Sequence, residues 1–514
     1  MVVLITKAIL LASALLPLAS STAVPKPVAE TTCGGKKYTY ERLAGYGFIA
    51  ADAVDKFGDN LGGLGSAIFV EKGSWRQRRD GSYTGTLWAL PDRGWNTQGT
   101  LNFQNRVHKF EVTLDPKPRA TVERPSGPNF DLKYKDTIRF TAPDGQPTTG
   151  LDPKVKGPYL SFPGFDFELP SATYPGDGFG GPGPGGERVS IDSEGLVIDN
   201  DGYFWVSDEY GPFVYRFNKK GRMVSAIKPP GALIPRRNGT TSYNSNTAPF
   251  FNPDFAVDPE DPTSGRSNNQ GFEGLTISPD GKTLSLLLQS ATIQDGGSRN
   301  PTRRNTRFLQ YDITKTPPRY IKEYIVPLPF TTPNATRTTA QSEVLYVSDT
   351  QFLILARDSN AGAGLEVTES LYRHADVFDI SRATNVKSPF ADAVGGQIAS
   401  DRGLLNANIT AAEYCSFVDY NINSQLNRFG VRNGGPPGEG LLNEKWESLA
   451  LVPVDGKEGK DGEFFLISLS DNDFITQNGF LNEGRFRYSD ASGNDLLNQA
   501  LVFRVKIPRE GRRG

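Results

Sequence analysis

The chain has 514 residues, and its 56 Lys and Arg nearly balance its 58 Asp and Glu, giving a formal charge of −2. This balance argues against a broad basic surface for nucleic acid. Hydrophobic residues make up 37% of the chain, which is enough for packed cores and too much for a disordered protein. The 55 Gly and 37 Pro favour many short strands and turns over long helices.

The first 23 residues have the pattern of a secretory signal peptide. Lys7 is their only charge, residues 8–19 are an apolar run, and Ser21 and Ala23 form a small-x-small cleavage site. The alternative is a membrane anchor, but a spanning helix needs about 20 apolar residues and Pro17 interrupts this run. We therefore predict a signal peptide at 1–23, an N-terminal segment at 24–44, secretion, and no stable membrane anchor.

Two further features fit an exported protein. The only cysteines, Cys33 and Cys415, are expected to pair in an oxidising compartment, although spacing alone leaves two unpaired thiols as the alternative. Three sequons predict glycosylation at Asn238, Asn334 and Asn408.

One pattern recurs along the chain: a polar residue, a Glu, an apolar strand, a turn that often contains Gly, a second apolar strand and a polar cluster. Clear copies with the Glu occur at 193–209, 272–289, 342–358 and 446–473, and a copy without it occurs at 61–93. Because a mature chain of this length exceeds what a single core supports, the repeat indicates a repeat architecture.

A third strand follows several copies, and a fourth follows where the chain allows, which is the content of a propeller blade. We predict an all-β fold, a β-propeller of about six blades with five resolved, whereas a β-sandwich is the alternative. The region 37–57 could supply strands that close the ring. Long irregular loops are expected at 141–190 and 229–269, within a propeller domain at 45–507 that precedes a charged tail at 508–514.

Histidine chemistry is disfavoured. The chain has only two histidines, His108 and His374, and each lies beside a predicted third strand. A Ser–His–Asp hydrolase needs a histidine base and a histidine-ligated zinc site needs several ligands.

Carboxylates recur at the start of the repeats. If the first strand of each blade lines the channel, these glutamates surround one axis and need a cation or arginines to balance their charge, and Ca²⁺ suits them because it accepts 6–8 oxygen ligands in loose geometry. The alternative is that each Glu latches onto backbone amides of the next blade. With two aspartates of the last copy, the predicted metal ligands are Glu194, Glu273, Glu343, Glu447, Asp471 and Asp473.

Mixed acidic and arginine clusters follow the second strands. A metal together with guanidinium groups is what a phosphoryl group requires. The predicted catalytic residues are Arg93, Asp208, Glu209, Arg357 and Asp358.

The motifs in these copies resemble the phytase-like family, described as having esterase-like activity of phytase. The resemblance spans about residues 45–506, and the motifs that carry it are Asp92-Arg-Gly94, Ser193-Glu-Gly-Leu196, Ser207-Asp-Glu-Tyr210, Phe272-Glu-Gly-Leu275, Trp446-Glu-Ser-Leu449 and Ser470-Asp-Asn-Asp473. It implies a propeller fold, a secreted or surface location, and hydrolysis of phosphoesters or carboxylesters.

The expected function is a secreted, calcium-assisted hydrolase of phosphate esters that acts on a small-molecule substrate. Two alternatives remain. One is a metal-dependent carboxylesterase or lactonase on the same scaffold, and the other is a non-catalytic propeller that binds a carbohydrate or a protein.

Overall fold

The computed structural model describes residues 26–99, 101–333, 337–457 and 462–508. In this part of the chain, five antiparallel sheets follow one another around a ring. The innermost strands of the first four sheets are neighbours in chain order, that of the fifth lies beside that of the first, and the fourth and fifth sheets meet through their outer strands. The all-β propeller is therefore confirmed. The predicted signal peptide and the sequon at Asn334 lie outside the described residues.

Blades 1 to 4 each use consecutive segments of the chain. From the innermost strand outwards, blade 1 contains Ala67–Val70, Tyr83–Leu90, Arg106–Leu114 and Phe130–Arg139, with Arg76–Gln77 beside the second strand. Blade 2 contains Ser193–Ile198, Phe204–Asp208, Val214–Phe217 and Met223–Ile227, and blade 3 contains Phe272–Ile277, Thr283–Leu288, Asn305–Asp312 and Arg319–Pro327. Blade 4 contains Ala340–Tyr346, Gln351–Arg357, Arg373–Asp379 and Glu413–Asp419.

Blade 5 joins the two ends of the chain. Its strands are, from the inside, Ala450–Pro453, Glu463–Leu469, Asn498–Lys506, Lys36–Ile49 and Ala29–Cys33. The predicted closure by the region 37–57 is confirmed, because Lys36–Ile49 pairs with Asn498–Lys506. The sixth blade we expected is not present as a separate sheet among the described residues, since the N-terminal strands that could have built it complete blade 5.

Period-2 alternation builds the core. Successive residues of a strand face opposite sides of a sheet, so each blade packs against both of its neighbours. In blade 3, for example, Leu286 packs towards blade 2 and Leu287 packs towards blade 4. The second strands Phe204–Asp208 and Gln351–Arg357 are buried along their whole length.

Cys33 and Cys415 form a disulfide that links the N-terminal strand of blade 5 to the outer strand of blade 4. The predicted pairing is thus confirmed, and the bond ties the ring closure to its neighbour. No helix in the described ranges is long and apolar enough to cross a membrane. The helices are short: α-helices Pro389–Asp392 and Asn423–Leu426, and 3₁₀ helices Ile293–Asp295, Asn300–Thr302 and Asn427–Phe429.

The two long segments contain only short ribbons: Ser171–Tyr174 pairs with Gly186–Val189, and Arg236–Arg237 pairs with Thr240–Thr241. A third ribbon, Gly479–Leu481 with Phe486–Tyr488, lies within the blade 5 insertion. Asp152 joins the two long segments, because its carboxylate accepts hydrogen bonds from the Asn244 side chain and the Ser245 and Thr247 amides.

Candidate functional site

The candidate site lies at one mouth of the channel, where inner strands begin and second strands end. In blades 2 to 4 this point is marked by the pairs Ser193↔Asp208, Phe272↔Leu288 and Gln341↔Ala356, and a register shift follows each pair. Such a bulge re-aims a side chain next to a site. On the inner strands, the residues that directly follow Ser193, Phe272 and Gln341 in the sequence are Glu194, Glu273 and Ser342. On the second strands, the residues that directly follow Asp208, Leu288 and Ala356 are Glu209, Gln289 and Arg357.

This register separates Glu343 from the other predicted metal ligands. Glu343 lies one position beyond the bulge, at the place that Gly274 occupies in blade 3. A one-residue offset turns a side chain to the other face of a strand. Its Oε1 accepts the amides of Leu275 (3.2 Å) and Val344 (2.8 Å), so Glu343 is a latch between blades 3 and 4.

Three carboxylates of blade 2 form the first acidic group at the mouth, which we call the Asp192 cluster: Asp192, Glu194 and Glu209. One ligand atom of each lies within 4.8 Å of the others, and all three side chains are buried. Burial raises the pKa of Glu194 and of Glu209 well above the usual range, and the neighbouring carboxylates raise both further.

Asp208 holds the backbone of this cluster in place. Its Oδ1 accepts the amides of Asp192 and Tyr210, and its Oδ2 accepts the Gly211 amide and the Tyr215 hydroxyl. The Glu209 amide in turn donates to the Asp192 carbonyl at 2.9 Å. Asp208 was predicted as catalytic, but its oxygens are used within the fold, so the structure gives it a positioning role.

Several carboxylate oxygens at the mouth lack a partner. Within the described ranges, no hydrogen bond is found for the buried atoms Asp192 Oδ1, Glu209 Oε1 and Glu273 Oε2. The other oxygen of Glu273 accepts the Gln289 side chain. A buried oxygen without a partner costs free energy, which a bound cation or substrate group would recover.

Arg93 borders this cluster from blade 1. Its Nη1 contacts Asp192 Oδ2 and Asn269, lies 3.8 Å from Glu209 Oε2, and its Nε donates to Asn96 at 3.0 Å. No hydrogen bond from its Nη2 is found in the described ranges. That edge of the guanidinium is available to an anionic group.

The long loops contribute to the same mouth. Asn269 closes the 229–269 segment and contacts Arg93, while Gly150 of the 141–190 segment lies directly against the Arg93 backbone. A Cβ atom at Gly150 would lie 2.0 Å from the Arg93 carbonyl oxygen, so this close approach requires glycine.

The second acidic group, the Lys445 cluster, consists of Lys445 with Asp92, Asp471 and Asp473. The Lys445 Nζ lies 2.7 Å from Asp471 Oδ2, 2.8 Å from Asp473 Oδ1 and 3.9 Å from Asp92 Oδ2. Burial alone would lower the pKa of Lys445, but these carboxylates raise it well above its ordinary value. Asn96 connects the two clusters by donating to Asp473 at 2.8 Å.

A buried ion pair completes the mouth. Arg357 donates through Nη2 to Glu447 Oε1, while Glu447 Oε2 lies 3.8 Å from the Lys445 Nζ. Asp358, another predicted catalytic residue, instead accepts the Ser370 hydroxyl and the Leu371 amide, so it anchors a loop.

The structure thus brings most of the predicted residues to one mouth and adds four that the sequence did not indicate: Asp192, Asn96, Asn269 and Lys445. Lys445 directly precedes the Trp446-Glu447 motif, and Asp192 directly precedes the Ser193-Glu194 motif. Extending each repeat by one residue towards the N-terminus would have found both. The sequons Asn238 and Asn408 are exposed, as glycosylation requires.

The fold is thus a five-bladed propeller whose channel mouth gathers buried carboxylates, two arginines and a lysine. A sequence model of the phytase-like family, described as esterase-like activity of phytase, matches residues 78–474. The chain belongs to the phytase-like family, which confirms the resemblance seen in its motifs.

A relative from Arthroderma benhamiae, described as an uncharacterized secreted protein, is 54% identical over 477 residues and spans 90% of this chain and 93% of its own. Three solved structures share low similarity with the chain. One is the hydrazine synthase of Kuenenia stuttgartiensis, with a TM-score of 0.27 and 12% identity over 83% of this chain and 81% of that chain. The second is a luciferin-regenerating enzyme, with a TM-score of 0.25 and 10% identity over 87% of this chain and 94% of that chain. The third is the Cps50 (Swd1) β-propeller domain of Myceliophteria thermophila, with a TM-score of 0.26 and 10% identity over 87% of this chain and 97% of that chain. At these TM-scores they support no inference about this chain.

Proposed function

We propose that this protein is a secreted, calcium-assisted hydrolase of small phosphate esters that acts at the channel mouth. The observation that carries the proposal is the set of buried, unpartnered oxygens of Asp192, Glu209 and Glu273 beside the Arg93 guanidinium. Secretion is supported by the signal-peptide pattern at 1–23, the disulfide and the secreted relative.

The charge balance of the mouth supports a cation. Eight carboxylates face three basic side chains: Asp92, Asp192, Glu194, Glu209, Glu273, Glu447, Asp471 and Asp473 against Arg93, Arg357 and Lys445. So many like charges cannot all ionise at close range without counter-charge. Carboxylate oxygens are the ligands that Ca²⁺ takes, with Ca–O distances of about 2.3–2.6 Å.

The basic residues have a distinct part in the proposal. Arg93 offers Nη2 to a phosphoryl oxygen, and its other nitrogens are fixed by Asp192, Asn96 and Asn269, so the group is pre-oriented. Arg357 adds positive charge from blade 4, where Glu447 holds it. The cation supplies Lewis-acid stabilisation of the phosphoryl charge and a more acidic water.

The test is hydrolysis of an aryl phosphate, phytate and an aryl acetate by metal-stripped protein, with and without added Ca²⁺. We expect calcium-restored phosphate release that is lost in Asp192→Asn and Arg93→Ala and unchanged in the control Asp131→Asn, an exposed carboxylate on the outer strand of blade 1. Aryl acetate cleavage that survives Arg93→Ala would identify a carboxylesterase instead. Absence of both turnover and calcium binding would refute the proposal in favour of a binding propeller.

A further inference from the structure

The two acidic clusters of the mouth differ in how their charge is neutralised. In the Lys445 cluster an ammonium group lies within 3.9 Å of an oxygen from each of the three carboxylates. In the Asp192 cluster the nearest cation is Arg93, which contacts one oxygen of Asp192 and lies 3.8 Å from one oxygen of Glu209.

Both clusters have the dimensions of a divalent-cation site. In each, one ligand atom from every carboxylate lies within 4.8 Å of the others. This span is about twice the Ca–O distance of roughly 2.3–2.6 Å, so a single ion could touch all three oxygens in either place.

Of the three carboxylates in each cluster, only those of the Asp192 cluster include buried oxygens without a hydrogen-bond partner in the described ranges; beside the Lys445 cluster, Glu447 Oε2 also has no hydrogen bond but lies 3.8 Å from the Lys445 Nζ. Asp192 Oδ1 and Glu209 Oε1 are buried without a hydrogen-bond partner in the described ranges, and so is Oε2 of the adjoining Glu273. In the Lys445 cluster, by contrast, Asp471 Oδ1 accepts the Asp473 amide and Oδ2 accepts Lys445. Asp473 Oδ1 accepts both Lys445 and Asn96.

From this contrast we propose that the mouth binds one divalent cation, at Asp192, Glu194 and Glu209, and that the Lys445 ammonium permanently occupies the second acidic cluster as an internal cation. The first half rests on the proposed function, whereas the second half concerns Lys445 alone. An ammonium held by carboxylates at 2.7 and 2.8 Å excludes a divalent ion from the same place, because both would need the same oxygens.

The proposal predicts that removing one amine creates a metal site. Without Lys445, the carboxylates Asp92, Asp471 and Asp473 keep their spacing through backbone contacts, such as the Asp471 amide donating to the residue 445 carbonyl at 2.7 Å. Lys445→Met should therefore bind a second Ca²⁺ ion. Lys445→Arg keeps the positive charge and should not.

The experiment measures Ca²⁺ stoichiometry by equilibrium dialysis on the metal-stripped full chain, independently of activity. We expect one ion per chain in the wild type and in Lys445→Arg, two in Lys445→Met, none in Asp192→Asn, and one in the Asp192→Asn/Lys445→Met double variant. A calcium-dependent rise in unfolding temperature that is larger for Lys445→Met than for the wild type is the second readout.

The outcomes separate the two proposals. One ion in both the wild type and Lys445→Met, or two in the wild type, overturns the internal-cation assignment and leaves the proposed function standing. No ion in the wild type but one in Lys445→Met overturns the calcium part of the proposed function and supports the role of Lys445. If Lys445→Met does not fold, Lys445→Gln is measured instead, because it keeps a donor for Asp471.

Discussion

The Arg357–Glu447 pair offers a direct measure of the charge imbalance at the mouth. Both side chains are buried, with exposures of 7% and 3%, and Nη2 of Arg357 contacts Oε1 of Glu447. Replacing Arg357 with Met leaves Glu447 without its hydrogen-bonded partner. The mouth would then hold eight carboxylates with only Arg93 and Lys445 to balance them.

The size of the effect follows from burial. Two opposite charges about 4 Å apart attract by about 4 kcal/mol at an effective dielectric constant of 20. Removing one partner of a buried pair costs about 3–5 kcal/mol. Because the Lys445 Nζ stays 3.8 Å from Glu447 Oε2, we expect the lower end, a loss of about 3 kcal/mol in the free energy of unfolding.

The assay is urea unfolding in calcium-free buffer, followed by both circular dichroism and tryptophan fluorescence so that a single transition can be verified. The double variant Arg357→Met/Glu447→Gln should recover about half of the loss, since the carboxylate charge that Arg357 balanced is then removed as well. Arg319→Met is the matched control, because Arg319 is a surface arginine with an exposed partner contact to Asp312, and it should show no loss. A loss below about 1 kcal/mol in Arg357→Met, or no recovery in the double variant, would refute the reasoning.

Three further predictions test the disulfide, a buried acid and a glycine. Replacing Cys33 and its partner with Ser should lower the free energy of unfolding by about 2–5 kcal/mol and increase hydrogen exchange in the N-terminal strands, which an unchanged exchange pattern would contradict. Burial raises the pKa of Asp152 from 3.8 to about 7, so the folded state binds this proton more tightly than the unfolded state does. The free energy of unfolding should therefore fall as pH rises between about 4 and 7, and Asp152→Asn should lose this part of the pH dependence. Urea unfolding of both proteins at pH 5 and 8 is the measurement, and an equal change in the free energy of unfolding between these pH values in the two proteins would refute this. A Cβ at Gly271 would lie 2.0 Å from the Glu209 carbonyl oxygen, so Gly271→Ala should weaken Ca²⁺ binding in dialysis, whereas Gly127→Ala, with open space around it, should not.

The blades could be predicted from sequence because their signal is local. Apolar residues alternate with period 2 in strands such as Arg106–Leu114, and each repeat supplies its own strands and turns. The closure by Lys36–Ile49 was also accessible, since a ring needs a strand from the other end of the chain. The number of blades was harder to predict, because N-terminal strands can either complete a blade or begin a new one.

The site could be predicted only in part, because its geometry depends on register and on long-range contacts. The sequence aligns Glu343 with Glu273, but the bulge moves Glu343 by one position and turns it into a latch. Lys445 has no periodic signal, and only the fold brings it to Asp92, which is more than 350 residues away in the chain. Pattern identifies the repeated positions, whereas the contacts between blades decide which of them share one site.

The charges of the mouth show how a repeated fold produces a single site. At the position that follows Asp208 in blade 2, Leu288 in blade 3 and Ala356 in blade 4, the residues are Glu209, Gln289 and Arg357. If all of these positions kept the same charge, the mouth would be a ring of equal charge with no preferred place for a ligand. Instead, six of the eight carboxylates come from blades 2 and 5, three from each, and Arg93 and Arg357 come from blades 1 and 4. A phosphate ester and a cation need such a polarised mouth, so the positions at which the repeats diverge, rather than those they share, are where substitutions should alter function most.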